Sequence, residues 1–182
     1  MREKDFIENT TEEIEEKYKT ALEAYKKGRF SESRKLLKEI IEQQDDFVPA
    51  YNKLGVINVH QENLQQAEDF FWEALEYESE YIPSLLNIGN LCQKRGEKRR
   101  AEQIYQEIID LDDEYGPVHN NLAALYKSRG DLSKAVKHMK KARKYGGLSH
   151  KVENPGPIYK EPGVIGCFFV FVFLLLALYF LL

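Results

Sequence analysis

The strongest constraint on this chain is a period of 34 residues that runs through most of it. Pro49, Pro83 and Pro117 stand 34 apart. Ala21, Gly55, Gly89 and Ala123 keep the same step, as do Gly28, Glu62, Gly96 and Gly130. Three further columns hold Ser33, Ala67, Ala101 and Ala135, then Leu37, Phe71, Tyr105 and Met139, then Ile40, Ala74, Ile108 and Ala142. Five columns in register over four units, and the proline column over three, without an insertion, are hard to obtain by chance. A fixed period of this length marks a stacked repeat architecture.

Each column has a physical job. Proline suits the first turn of a helix, where its missing N–H costs nothing. The first unit lacks that proline, but Thr10 and Glu13 offer a capping box. Small residues let two helices approach closely. Glycine supports the sharp reversal between helices, and Glu62 must manage the same turn without it. The second small column and the large apolar column lie four residues apart, on one face of a second helix. The spacing predicts antiparallel helix pairs at 11–27 with 31–44, 48–61 with 64–77, 82–95 with 98–111, and 116–129 with 132–145. No pair buries its apolar face alone, so neighbours must stack into an all-α solenoid.

This pattern resembles the tetratricopeptide repeat family over roughly residues 11–145. The second unit matches best, with Tyr51-Asn52-Lys53-Leu54-Gly55, Ala67, Phe71 and Ala74. The fourth follows with Asn121-Leu122-Ala123, Tyr126, Gly130-Asp131-Leu132, Ala135 and Ala142. In the third, Cys92 replaces the usual aromatic, and the first places Ser33 in the alanine column. The expected organisation is an extension at 1–10, a repeat domain at 11–147 (units at about 14–47, 48–81, 82–115 and 116–147), a linker at 148–163 and a transmembrane helix at 164–182.

The last segment reads VIGCFFVFVFLLLALYFLL and carries no charged side chain. At about 1.5 Å per residue its length is roughly 28 Å, close to the hydrocarbon thickness of a bilayer. A buried core helix and a lipid-anchor processing signal are the alternatives; the second needs a secretory N-terminus. MREKDFIENTTEEIEEKY contains no apolar stretch of that kind. Basic residues crowd ahead of the span and none follows, which predicts a cytoplasmic repeat domain on a single-pass anchor. The missing basic residues after the span disfavour a mitochondrial tail anchor, so a bacterial cell membrane is expected. Asn154-Pro155-Gly156-Pro157 and Pro162-Gly163 forbid a continuous helix before it. Fully extended, the chain from Gly147 to Gly163 reaches at most about 55 Å.

Catalysis finds little support. His60, His119, His138 and His150 are scattered and lack metal-ligand spacing. Asp112, Asp113 and Glu114 read as a solvated loop, and no phosphate-binding loop is present. The net charge of -4 gives no sign of a nucleic-acid binder. Cys92 reads as a small apolar core residue; Cys167, at the start of the span, is open to palmitoylation. No enzyme activity, cofactor, metal or small-molecule substrate is expected.

The resemblance implies a function in protein binding, with the first helices lining a concave groove that holds a peptide or partner helix. The matching positions are Tyr18, Leu22, Tyr25 and Lys26, Asn52, Val56, Val59 and His60, Leu86, Asn90, Gln93 and Lys94, and Asn120, Ala124, Lys127 and Ser128. Asparagine side chains there can pair with a peptide backbone without reading its sequence. Some relatives bind acidic chaperone tails through a cationic clamp. Tyr18, Leu22, Pro83 and Asn87 stand at the clamp positions, so its cations are missing. Lys134, Lys137, Lys141 and Lys144 share a face of the last helix. A solvated end of the solenoid is the favoured reading of that stripe, and contact with anionic lipid headgroups the sharper one. The expected role is a membrane-anchored adaptor for an unidentified protein or peptide; the alternative is an assembly subunit of a membrane complex without a peptide ligand.

Overall fold

The computed structural model describes Phe6 and residues 10–146. Eight helices occupy residues 10–146: α1 (Glu12–Lys26), α2 (Phe30–Gln43), α3 (Val48–His60), α4 (Leu64–Tyr77), α5 (Ile82–Lys94), α6 (Lys98–Leu111), α7 (Gly116–Ser128) and α8 (Leu132–Lys144). No strand occurs among the described residues. The spacer and the 164–182 segment fall outside them. Among the described residues no helix is long and apolar enough to cross a membrane.

Local chemistry explains the ends of these helices. Pro49, Pro83 and Pro117 sit in the first turns of α3, α5 and α7. Thr11, not Thr10, caps α1, its hydroxyl accepting from the Ile14 N–H at 3.3 Å. Thr10 instead donates to Gln44 Oε1 at 2.7 Å, so the expected capping box does not form. Asp131 caps α8, accepting from the Lys134 N–H at 3.1 Å. The reversals inside the four pairs share one bond, from the N–H of Arg29, Asn63, Glu97 and Asp131 to the carbonyls of Ala24, Asn58, Cys92 and Tyr126. That turn needs a left-handed residue. Gly28, Gly96 and Gly130 supply it, and Glu62 adopts it with φ 61.

The small and large columns are one device. A Cβ added to Gly55 would lie 2.6 Å from Cδ1 of the buried Phe71 ring and nearer still to Cε1. At Gly89 the same atom would lie 2.9 Å from Tyr105 Cδ1. Where the large residue is aliphatic, as in Leu37 and Met139, the small partner is alanine (Ala21, Ala123). Glycine therefore appears where an aromatic ring crosses its helix.

The two ends of the array differ. In units two to four the face that receives the preceding unit is mostly apolar: Phe47, Ala50, Tyr51 and Leu54 in the second, Tyr81, Leu85 and Ile88 in the third, Val118 and Leu122 in the fourth, all buried. The first unit carries Glu13, Glu16, Lys17 and Thr20 at those positions, and only Lys17 is even half-buried. Its leading face is thus finished with polar side chains. The trailing face is not. Leu37, Phe71 and Tyr105 are fully buried, whereas Met139, with no unit after it among the described residues, is 48% exposed. Leu132 and Val136 lie open beside it.

Consecutive first helices touch each other, α3 with α5 and α5 with α7. Their rows therefore form the inner side of the array. On the outer side a polar staple joins each unit to the next: Arg34 with Gln61, Glu68 with Arg95 at 2.6 Å, and Glu102 with Arg129.

Candidate functional site: the inner face of the first helices

Helices α1, α3, α5 and α7 set the inner face, and their packing fixes which side chains reach it. Leu22, Tyr25, Val56 and Leu86 are half-buried, while His60, Asn90, Lys94, Asn120 and Lys127 are exposed. Tyr18 belongs elsewhere. It is 1% exposed and packs edge-on against Phe47, with ring centroids 5.1 Å apart, so its ring serves the core. Asn52 is also buried, at 6% exposure.

At the α1–α3 end the face is aromatic. The Tyr25 hydroxyl lies 2.7 Å from His60 Nε2. His60 also stacks on Phe30, and Lys53 Nζ sits 5.2 Å above the Tyr25 ring. Burial holds the Tyr25 phenol above its ordinary pKa, so it stays a neutral donor.

Farther along, an amide ladder crosses the units. Asn52 Oδ1 accepts from Asn87 Nδ2 at 2.9 Å and from Ser84 Oγ at 3.3 Å. Asn90 Oδ1 accepts from Asn121 Nδ2 at 2.6 Å and from the Tyr105 hydroxyl at 2.7 Å. Both lone pairs of the Asn90 carbonyl are thereby used. What exposed Asn90 presents outward is its NH2, a pure donor. Asn87, Asn121, Ser84 and Tyr105 are the members that sequence reasoning missed. Asn87 and Asn121 stand 34 apart and carried a signal. Tyr105 read only as a core residue; its ring fills the core while its hydroxyl reaches the α5 side chains that line the inner face. Burial pushes that phenol well up from the ordinary value.

Two histidines that looked scattered are in fact neighbours. His119 Nδ1 and His138 Nδ1 are 3.1 Å apart, and His119 Nε2 is 2.8 Å from the Asp113 carbonyl oxygen. A carbonyl only accepts, so neutral His119 carries its proton on Nε2, and its Nδ1 must accept from His138. Burial lowers both pKa values, and His138 falls to about 4 with His119 and Lys137, Lys141 and Lys134 adding repulsion. Among the described residues no group of three or more metal-ligating side chains forms.

The lysine stripe is only partly open. Lys134 pairs with Asp131 at 3.6 Å and covers the Tyr126 ring, and Lys144 Nζ lies 4.5 Å above its neighbour Tyr145. Lys141 is half-buried, while Lys137 is exposed.

Comparison with known proteins agrees with the repeat fold. Profiles of the tetratricopeptide repeat match residues 18–80, 84–116 and 116–144. A crystal structure of MamA is similar, with 21% identity, a TM-score of 0.60, and coverage of 79% of this chain and 84% of that one. A tetratricopeptide repeat protein from Parabacteroides merdae matches with 20% identity and a TM-score of 0.60, over 77% of this chain and 56% of its own. PilF of Pseudomonas aeruginosa matches with 19% identity and a TM-score of 0.58, over 72% and 60%. No curated protein matches the chain.

Proposed function

Because the chain belongs to the tetratricopeptide repeat family, we propose that it is a protein-binding adaptor, not a catalyst, that captures an extended polypeptide segment on its inner face. The amide ladder carries this reading. Asn90, its carbonyl already occupied, offers NH2 donors to backbone carbonyls of a bound chain, which needs no particular sequence. Tyr25, Val56 and Leu86 provide the apolar surface beside it. The uncharged 164–182 segment supports the second half of the proposal: it anchors the adaptor in a membrane, with the repeats on the cytoplasmic side.

Affinity purification from the native membrane tests the groove. Asn90→Asp replaces the outward donor with an acceptor, and Tyr25→Ala removes an apolar wall. Both variants should lose the partner that the wild type retains. Full recovery by both would move the binding elsewhere and favour an assembly subunit held by its span. Protease added outside sealed cells should spare the repeats; their digestion would refute the topology.

A further inference from the structure

The outer side of the array holds a second surface, separate from the inner face. Between α4 and α6, over the floor of α5, lies a groove of about 470 Å³. Trp72, Leu75, Ile88 and Ile104 line it, and Glu76 and Glu107 stand at its edges. Trp72 is the single tryptophan of the sequence and is 44% exposed. The 34-residue register places Lys38, Gln106 and Lys140 at the positions equivalent to Trp72, so the repeat fold does not require an aromatic there. A groove between α2 and α4 is more polar, with Arg34, Lys38, Gln66 and Asp69 beside Phe70. Of the four equivalent positions only Trp72 is aromatic, so the aromatic wall of this groove comes from the second unit.

It also lies in the most acidic stretch of the repeats. Residues 48–81 carry seven acidic side chains and one basic one. Asp69, Glu73 and Glu76 crowd the outer face of α4. Burial, then Glu76 and Asp69, holds the Glu73 carboxyl above its ordinary range.

The opposite surface sits on the last helix. Leu132, Val136 and Met139 recur at i, i+4 and i+7, so they form one stripe, and they are 64%, 50% and 48% exposed. Arg143 continues that stripe one turn beyond Met139, and Lys140 flanks it. Residues 116–147 carry eight basic side chains and one acidic one. One apolar surface rimmed with carboxylates and one apolar stripe bordered by cations are complementary in apolar character and in sign.

We infer that the chain self-associates, the apolar stripe of α8 in one copy docking into the α4–α6 groove of a second. The two surfaces differ, so the contact is heterologous, and each copy keeps a free groove or a free stripe until an assembly closes. Polar side chains finish the leading face of the first unit, which disfavours simple end-to-end stacking of copies as the rival arrangement.

Charge reversal tests this on the full chain in mild detergent, with sedimentation velocity and Trp72 emission as readouts. The wild type should sediment as dimers and larger species at high concentration, with Trp72 emission shifting to the blue as the groove fills. Glu76→Lys/Glu107→Lys and Lys140→Glu/Arg143→Glu should each remain monomeric with unshifted emission, while unchanged circular dichroism shows that they fold. Mixing the two variants should restore association, because each reversed surface then meets its complement. A wild type that stays monomeric throughout overturns the proposal. So does undiminished association of either variant alone, or a mixture that stays monomeric. Binding of anionic vesicles that Lys140→Glu/Arg143→Glu abolishes while its self-association persists would assign the stripe to lipid instead.

Discussion

Substituting Gly55 by alanine should destabilise the fold, against the usual rule for helices. In an exposed helix interior the change gains about 1 kcal/mol of propensity. Here the new methyl meets the Phe71 ring, 2.6 Å from Cδ1, closer than real Cβ contacts occur. Phe71 is fully buried and has no solvent to swing into. Overpacking of this kind costs about 1–3 kcal/mol, so the net loss should be about 1 kcal/mol once propensity is offset. The reasoning is sharper in a double-mutant cycle. Phe71→Leu recreates the pairing that the first unit already uses, Ala21 against Leu37. In that background Gly55→Ala should become stabilising by up to about 1 kcal/mol, giving a coupling of roughly 2 kcal/mol. Urea unfolding followed by far-ultraviolet circular dichroism on a chain ending at Gly147 measures all four corners. An effect of Gly55→Ala that is the same in both backgrounds within about 0.5 kcal/mol would refute the account.

Three other substitutions probe different parts of the fold. Glu62→Gly relieves the one left-handed non-glycine residue among those described, φ 61, and should raise stability by about 0.5–1 kcal/mol; an unchanged urea midpoint contradicts this. Glu68→Ala strands Arg95 at the junction between the second and third units, where Glu68 is 8% exposed, and should cost about 1–3 kcal/mol; a cost below about 0.5 kcal/mol would class the pair with ordinary surface bridges. The neutral histidine pair makes the fold acid-sensitive. His138 binds a proton near 6.5 when unfolded but only at about 4 when folded, so stability is full above 6.5 and falls as the pH drops towards 4. His138→Gln should flatten that slope, which is at most about 1.4 kcal/mol per pH unit for each histidine; equal slopes in thermal melts of the two proteins between those pH values would sink the assignment.

The helices were legible because they are periodic. Pro49, Pro83 and Pro117 marked first turns, and the glycines at 28, 96 and 130 marked reversals, both through backbone chemistry that acts locally. The inner face was legible only in outline. A column position tells which way a Cα–Cβ bond leaves its helix, not how far the side chain runs or what covers it. Tyr18 sits in the same column as Asn52, Leu86 and Asn120, yet Phe47 from the next unit closes over it. Tyr105 failed in the other direction, since a buried ring hid a hydroxyl that emerges on the far side. The His119–His138 contact spans 19 residues and joins different helices of one pair, so no single-helix spacing could reveal it. The outer groove was invisible for a similar reason: Trp72 and Ile104 come from different units, and only stacking brings them to one cleft.

These placements separate two kinds of contact. The amide ladder lies on the first helices, whereas Trp72 and Ile104 belong to second helices and Met139 to the open trailing end. A copy engaged with its neighbour through α8 and the α4–α6 groove therefore keeps Asn90 and Tyr25 uncovered. Capture of a polypeptide and self-association should then be additive rather than competitive. The charge-reversed variants give that argument a direct consequence. Glu76→Lys/Glu107→Lys should retain the partner that Asn90→Asp loses, because its altered side chains lie on the outer side of the array. Loss of the partner in both would mean that the partner reads the assembled array, with neighbouring copies supplying part of its binding surface.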